Sequence, residues 1–326
     1  MLETIHPEEQ IHMQANDVLC RLRKTLAIEG QRGLKILVDP ALADPILSVC
    51  QRNALPVRRL NLPYGDVSAE VKPYLVSVDD ADAHERFLTE TILVGLRESL
   101  AARDGWPAAR SVSAWLIMSN EETRAFAQEF NVRAVVHKPG TPSKRKLLRF
   151  WDPRVFPQVG RLVGNAWARW LRVNATWVYL DGWGRITQHR FVRPAVATEK
   201  TWYPDLAAWE KLERAAEVNH SLVISGKLHQ QADERIFDHF DRLLVRATAL
   251  GCRHALDRVT YAVLADSIDV PFEQHPQVAA MLKRTRHEDV SFSDLLTSLD
   301  SIAWERIRDE LTRQANTEIP SILVQG

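Results

Sequence analysis

The sequence has few cysteines and lacks the segments that direct export. Cys20, Cys50 and Cys252 are its only cysteines in 326 residues, and their wide spacing does not form a metal-binding or redox motif. Free thiols of this kind are typical of a reducing compartment, so we predict a cytoplasmic protein. The first residues, MLETIHPEEQ, are polar and acidic where a secretory signal has a basic start and an apolar run. We therefore expect no export by the usual route.

Long apolar runs and an excess of charge of one sign are also missing. No stretch approaches the roughly 20 apolar residues that cross a bilayer, which predicts a soluble protein without a membrane partner. Lysine plus arginine and aspartate plus glutamate are equal, at 42 each. A protein that holds nucleic acid through its phosphates needs a positive surface, so the composition predicts no nucleic-acid partner.

Motifs of common enzyme classes are absent as well. The chain contains no Gly-x-Ser-x-Gly string, the usual mark of a serine hydrolase of the α/β class. Asp39, Pro40 and Ala41 follow the first predicted strand, where a nucleotide-binding enzyme would have a glycine-rich loop. We therefore predict no catalysis and no cofactor.

Two sets of residues contain side chains that could bind a metal ion. Between residues 229 and 239, Asp238 and His239 diverge by about 100 degrees on a helix, which favours a solvated charged face over a metal site. The possible ligands in this segment are His229, Asp233, Glu234, Asp238 and His239. Asp39 and Asp152, each at a predicted strand end, leave one alternative function, a metal-dependent phosphoesterase.

Apolar periodicity predicts an α/β lobe in the first part of the chain. An amphipathic helix over about residues 8–29 forms an appended segment, 1–33. Short apolar strands then alternate with helices over 34–195, which predicts a mostly β-sheet core flanked by helices. Two strands joined around Asp181 and Gly182 have the sequence of a hairpin, and we expect Trp183 to project from its turn.

The pattern becomes helical in the last third of the chain. Residues 194–205 carry two prolines and no sustained periodicity of apolar residues. After them, apolar residues recur at spacings of three and four. We predict an all-helical lobe over 196–326, with one helix between Asp233 and Gly251 and another that begins at Pro276.

The segment LLRFWDPRVF at residues 147–156 carries the most specific pattern. An apolar strand leads to Asp152, a good helix cap, and to Pro153, which suits the first helical position. Arg149 and Arg154 flank the cap, and both can reach its carboxylate. Two interpretations are open: a charge cluster that fixes the strand to the helix, or an arginine that faces a partner protein.

The string RFWDPR at residues 149–154, which includes Phe150, resembles the type VI secretion effector adaptor family. Two further segments resemble that family, and with the string they cover about residues 34–185: the PYLV strand, with Pro73 and Tyr74, and the SAWLIMS strand, with Trp115. The resemblance implies a bacterial cytoplasmic adaptor, or chaperone, without catalysis. Its partners would be a cognate secreted effector and the VgrG spike protein onto which it loads that effector. Besides the adaptor and the phosphoesterase, a toxin or immunity component of the same secretion system is a third possible function.

Two surface features complete the predictions. The basic run at residues 138–146 has the composition of an exposed loop kept in solution by charge, and a phosphate-binding segment is the alternative. The chain has ten tryptophans, of which nine lie between Trp106 and Trp209. They either fill the core or line a partner surface, where tryptophan is enriched. We name Trp183, Arg149 and Arg154 as candidate partner-binding residues.

Overall fold

The structure is a computed structural model that describes residues 7–30, 33–63, 68–104, 109–195, 202–227, 235–268, 271–288 and 290–317. The chain forms two compact units, Met1–Leu212 and Glu213–Gly326. The first unit contains a β-sheet flanked by helices, and the described part of the second unit contains helices alone. The predicted fold class, an α/β lobe followed by a helical lobe, is confirmed.

The strands of the first unit form two separate sheets. They are β1 Gly33–Val38, β2 Val57–Arg59, β3 Tyr74–Val78, β4 Val112–Met118, β5 Val135–Lys138, β6 Thr141–Leu147, β7 Ala175–Leu180 and β8 Ile186–Phe191. Six of them form an antiparallel sheet in the order β2-β3-β1-β4-β7-β8, and β5 and β6 form a two-stranded ribbon. The hairpin predicted around Asp181 and Gly182 is confirmed as β7–β8.

Helices cover both faces of the six-stranded sheet. They are α1 Pro7–Glu29, α2 Leu47–Arg52, α3 Glu85–Asp104, α4 Asn120–Arg133 and α5 Phe156–Val163. Successive side chains of a strand point to opposite faces, and the central strand β4 shows the result. Trp115 and Ile117 join a core with α1 and α3, whereas Leu116 and Met118 join a second core with α4 and α5. Every residue of β4 is buried.

The second core is rich in aromatic side chains. The ring of Phe156 stacks on Trp177 with 4.6 Å between centroids, and Phe150 meets Trp170 edge to face at 5.1 Å. Both arrangements are favourable ones for aromatic pairs. Six of the tryptophans are buried: Trp115, Trp151, Trp170, Trp177, Trp183 and Trp209. For these six the core interpretation is correct, while Trp106 lies outside the described residues.

The second unit is built from helices around a smaller core. α6 Leu206–Ile224 begins in the first unit, and α7 Arg235–Leu250, α8 Ala255–Ser267, α9 Pro276–Glu288, α10 Phe292–Leu296 and α11 Ser301–Thr317 follow. Tyr261, Phe272, Phe292 and Ile307 lie at the centre of the core. α7 ends before Gly251 and α9 begins at Pro276, as predicted, while Asp233 lies outside the described residues.

Three local predictions are wrong. Asp39 followed by Pro40 has the cap-and-proline pattern that predicts a helix directly after β1, but α2 begins at Leu47, whose N–H donates to the Asp44 carboxylate at 3.0 Å. The helix expected from Pro153 begins at Phe156, because residues 152–155 form a turn in which Asp152 O accepts from Phe156 N at 2.9 Å. The basic run predicted as a loop contains the strand β6.

Candidate functional site

The candidate site is a set of charged residues at one end of the six-stranded sheet. Asp39 follows β1, Arg110 precedes β4 and Asp181 follows β7. The antiparallel register brings these three strand ends together, and the segment before α5 lies against them. We call the following residues the sheet-end cluster: Asp39, Arg110, Arg149, Trp151, Asp152, Arg154 and Asp181.

The carboxylate of Asp39 accepts three hydrogen bonds. Its Oδ2 accepts from Arg149 Nη2 at 2.7 Å and from the indole N–H of Trp151, and its Oδ1 accepts from Ala41 N at 3.1 Å. The Asp39 side chain is 2% exposed and that of Arg149 is 35% exposed. Burial lowers the pKa of Arg149, but the charges of Asp39 and Asp152 more than offset it, so the net shift is upward.

The prediction that Arg149 binds Asp152 is therefore wrong, and the geometry of the turn gives the reason. Arg154 occupies both oxygens of Asp152: its backbone N and its Nε donate to Oδ1, each at 2.9 Å, and its Nη2 donates to Oδ2 at 2.7 Å. β6 ends at Leu147, before the string begins. Arg149 instead bonds across to Asp39, which links the string to the end of β1.

The Asp152–Arg154 pair is buried and charged. Burial raises the pKa of Asp152, but the charge and hydrogen bonds of Arg154 outweigh it and hold the pKa at about 2. An aspartate with a lowered pKa contributes stability above its ordinary pKa of 3.8 that is lost as the pH falls toward 2. Asp152 therefore stays ionised at every pH a cell provides.

We expect Asp152→Ala to lower the free energy of unfolding by about 1–3 kcal/mol, because it removes the bonds that order the turn and deprives the buried Arg154 guanidinium of its Asp152 carboxylate. Chemical denaturation followed by circular dichroism measures the change. Glu90→Ala, which removes a partly exposed carboxylate 3.5 Å from the exposed Arg86, is the control and should change the stability by less than about 0.5 kcal/mol. Equal stability of the two variants would contradict the prediction.

Arg110 and Asp181 complete the cluster, and no sequence motif singles out Arg110. The Arg110 guanidinium is buried and donates to Leu180 O at 2.7 Å. Burial, followed by the charge of Arg154, lowers the pKa of Arg110 to about 10. Within the described residues its Nε and Nη1 have no hydrogen-bond partner. Asp181 accepts from the backbone N of Trp183 and of Arg185, each at 2.9 Å, as expected for an aspartate that begins a tight turn.

Trp183 does not project from the hairpin turn, so that prediction is wrong. It is 5% exposed, and the Arg185 guanidinium lies 4.8 Å from its ring centroid. The side chains of Trp183 and Arg154 are thus largely covered. Of the candidate partner-binding residues, Arg149 is the one with about a third of its side chain exposed.

The other residues of the family-like segments lie in the cores. Tyr74 is buried in β3, and its hydroxyl donates to Asp44 at 2.6 Å. The indole N–H of Trp115 donates to Thr91 Oγ1 at 3.1 Å. Pro73 accepts from Leu60 N through its carbonyl at 2.8 Å, and Phe150 is buried among aromatic rings. These residues have structural roles in the first unit.

A metal-based reaction at Asp39 and Asp152 finds no support in the geometry. Both carboxylates already accept from arginine side chains, so a metal ion would have to displace those bonds. Among the described residues, no group of three histidine, cysteine or acidic side chains is arranged to hold a metal. His239 bonds Asp266 at 3.1 Å, and His229, Asp233 and Glu234 lie outside the described residues. The phosphoesterase alternative stays a prediction.

Comparison of the chain with family models, with curated proteins and with solved structures found no match. The helices that the structure describes do not include one with the length and apolar character needed to cross a membrane.

Proposed function

We propose that the protein is an adaptor of a bacterial type VI secretion system, which binds a toxic effector and a VgrG-type spike protein and holds them together before secretion. The proposal is carried by the RFWDPR string, which resembles that of the adaptor family and is bonded to the core sheet through Arg149 and Asp39 at 2.7 Å. The other family-like segments, around Tyr74 and Trp115, lie on strands β3 and β4 of the same sheet.

The charge pattern of the sheet-end cluster favours a framework for binding over a reaction centre. Arg149 and Arg154 are each held by an aspartate of the same chain, so these guanidinium groups are balanced by internal partners. A reaction centre usually contains groups whose pKa is poised near the working pH, whereas Asp152 has a pKa of about 2 and so stays ionised. A rigid cluster of this kind fixes the surface around it.

An adaptor needs two surfaces that bind reversibly, each with a total buried area of about 1,200–2,000 Å². We assign the common framework to the first unit, because it contains the string and the other family-like segments. We assign selection of the effector to the helical second unit. The partly exposed Arg149 is the residue of the string that a partner can reach.

The decisive experiment is capture of partners by the full chain. A tagged full-length protein, expressed together with the spike and toxin encoded beside its own gene, should retain both on an affinity resin. The control is a spike and toxin pair from a different secretion cluster, which should not be retained. Failure to retain either neighbouring product, when both are expressed and folded, would overturn the proposed function.

A further inference from the structure

The ribbon formed by β5 and β6 is a sheet of its own within the first unit. It pairs with neither edge of the six-stranded sheet among the described strands. Residues 143–146 of β6 are all exposed. Side chains of a strand alternate between its two faces, so a run of exposed residues means that both faces of β6 meet solvent.

The base of the ribbon is held firmly by the aromatic core. Val136 and Leu148 are buried in that core, and Leu147 packs against it. Leu148 N donates to Ala134 O at 2.8 Å, which continues the pairing of Val136 with Lys146 and of His137 with Arg145. The ribbon is thus fixed at its base, while residues 143–146 of β6 remain exposed.

The ribbon concentrates positive charge in a chain whose charges balance overall. Residues 134–151 contain no aspartate or glutamate, and the ribbon carries Lys138, Lys144, Arg145 and Lys146. Lys144 and Lys146 lie on one face of β6 because they are two residues apart, and Arg145 lies on the other face. Cations on both faces suit a partner that presents negative charge along an extended segment.

We propose that the β5–β6 ribbon is a docking element for an extended acidic segment of a partner protein. Carboxylates spaced along such a segment would pair with Lys138 and Lys144, and complementary charge of this kind speeds association and selects the partner. The identification of this partner as the effector or the spike rests on the proposed function. The charge complementarity between the ribbon and an acidic segment does not depend on it.

Two other anionic partners fit the ribbon less well. Residues 138–149 contain no aromatic side chain on which a nucleic-acid base could stack, and the chain as a whole carries no net positive charge to hold a long polyanion. The tip, at Pro139, Gly140 and Thr141, offers no bulky apolar side chain for insertion into a lipid surface. An acidic polypeptide is the partner that the composition favours.

The test is fluorescence anisotropy with the full-length protein and a labelled peptide in which glutamate alternates with serine. We expect binding that weakens as the NaCl concentration rises, and no binding of the matched lysine–serine peptide. The double variant Lys138→Glu with Lys144→Glu should bind the acidic peptide at least about tenfold more weakly. The control double variant Lys24→Glu with Arg86→Glu makes the same change of net charge at helix positions outside the ribbon, and it should bind like the wild type.

Three results would overturn the proposal. One is no measurable binding of the acidic peptide, the second is equal weakening in both double variants, and the third is tighter binding of duplex DNA or of phosphatidylglycerol vesicles than of the peptide. Circular dichroism of each variant verifies that it is folded. If the peptide binds but the neighbouring spike and toxin are not retained, the proposed function fails and the ribbon proposal stands. If the spike and toxin are retained but the peptide does not bind, the ribbon proposal fails and the proposed function stands.

Discussion

Asp39→Ala should lower the free energy of unfolding of the first unit by about 3–5 kcal/mol, the usual result of breaking a buried ion pair by removing one partner. The substitution removes the acceptor of Arg149 Nη2, at 2.7 Å, and of the Trp151 indole. Trp151 is buried, so its N–H would lose a partner that water does not readily replace. Arg149 is partly exposed and can recover some hydration, which places the expected value near the lower end of this range.

Urea denaturation of the full chain, followed by tryptophan fluorescence, measures the loss. Asp39→Asn retains an oxygen acceptor but removes the charge, so its free energy of unfolding should lie between those of Asp39→Ala and the wild type. Asp17→Ala is the matched control, because Asp17 bonds Arg21 at 3.0 Å on an exposed face of α1, and it should cost less than about 0.5 kcal/mol. A loss below about 1 kcal/mol for Asp39→Ala would show that the cluster does not secure the string.

This prediction bears on function because the string and the basic ribbon are continuous in sequence. β6 ends at Leu147 and the string begins two residues later, at Arg149. The Arg149–Asp39 bond fixes the chain on one side of this junction, and the burial of Leu148 fixes it on the other. The sheet-end cluster therefore holds the base of the ribbon against the sheet, and loss of Asp39 should weaken the binding that we propose for the ribbon together with stability.

Most strands and the two-part organisation could be predicted because they depend on local pattern. The apolar run of β4 is buried throughout, and the Asp181–Gly182 turn joins two strands of matching length, which is the strongest short-range sequence sign of a hairpin. The helical period of the last third, with Gly251 and Pro276 as end and start, is equally local.

The wrong predictions have different physical causes, and one of them is a contact between residues far apart in sequence. Asp152 and Arg149 are close in sequence, yet Arg149 bonds Asp39, 110 positions away. Trp183 sits in a turn whose composition predicts exposure, but the ring is covered, with Arg185 stacked over it. The basic run was predicted as a loop because it lacks the alternation of apolar and polar residues that indicates a strand. β6 lacks this alternation because both of its faces are exposed over residues 143–146.

Gly251→Ala should lower the free energy of unfolding of the second unit by about 2–4 kcal/mol, through backbone strain and steric overlap together. Gly251 ends α7 with φ +110°, a conformation that residues with a Cβ rarely adopt. A Cβ there would lie 2.7 Å from the Cβ of Arg286, which is fixed to the helix α9. The adjoining bonds, Gly251 N to Thr248 O at 3.1 Å and Cys252 N to Ala247 O at 3.0 Å, form the capping pattern that ends α7.

Gly226→Ala is the comparison without a steric contact, because Gly226 has φ +67° and a Cβ there would meet nothing within 4 Å. It should cost about 1 kcal/mol, the penalty of the left-handed backbone alone. Equal losses in the two variants, measured by urea denaturation of the full chain, would mean that Arg286 moves aside and that α7 and α9 are not held at a fixed distance. A larger loss at Gly251 is the result expected from its φ of +110° together with its contact with Arg286, and it would support the fixed spacing of α7 and α9 that the proposed selection of an effector requires.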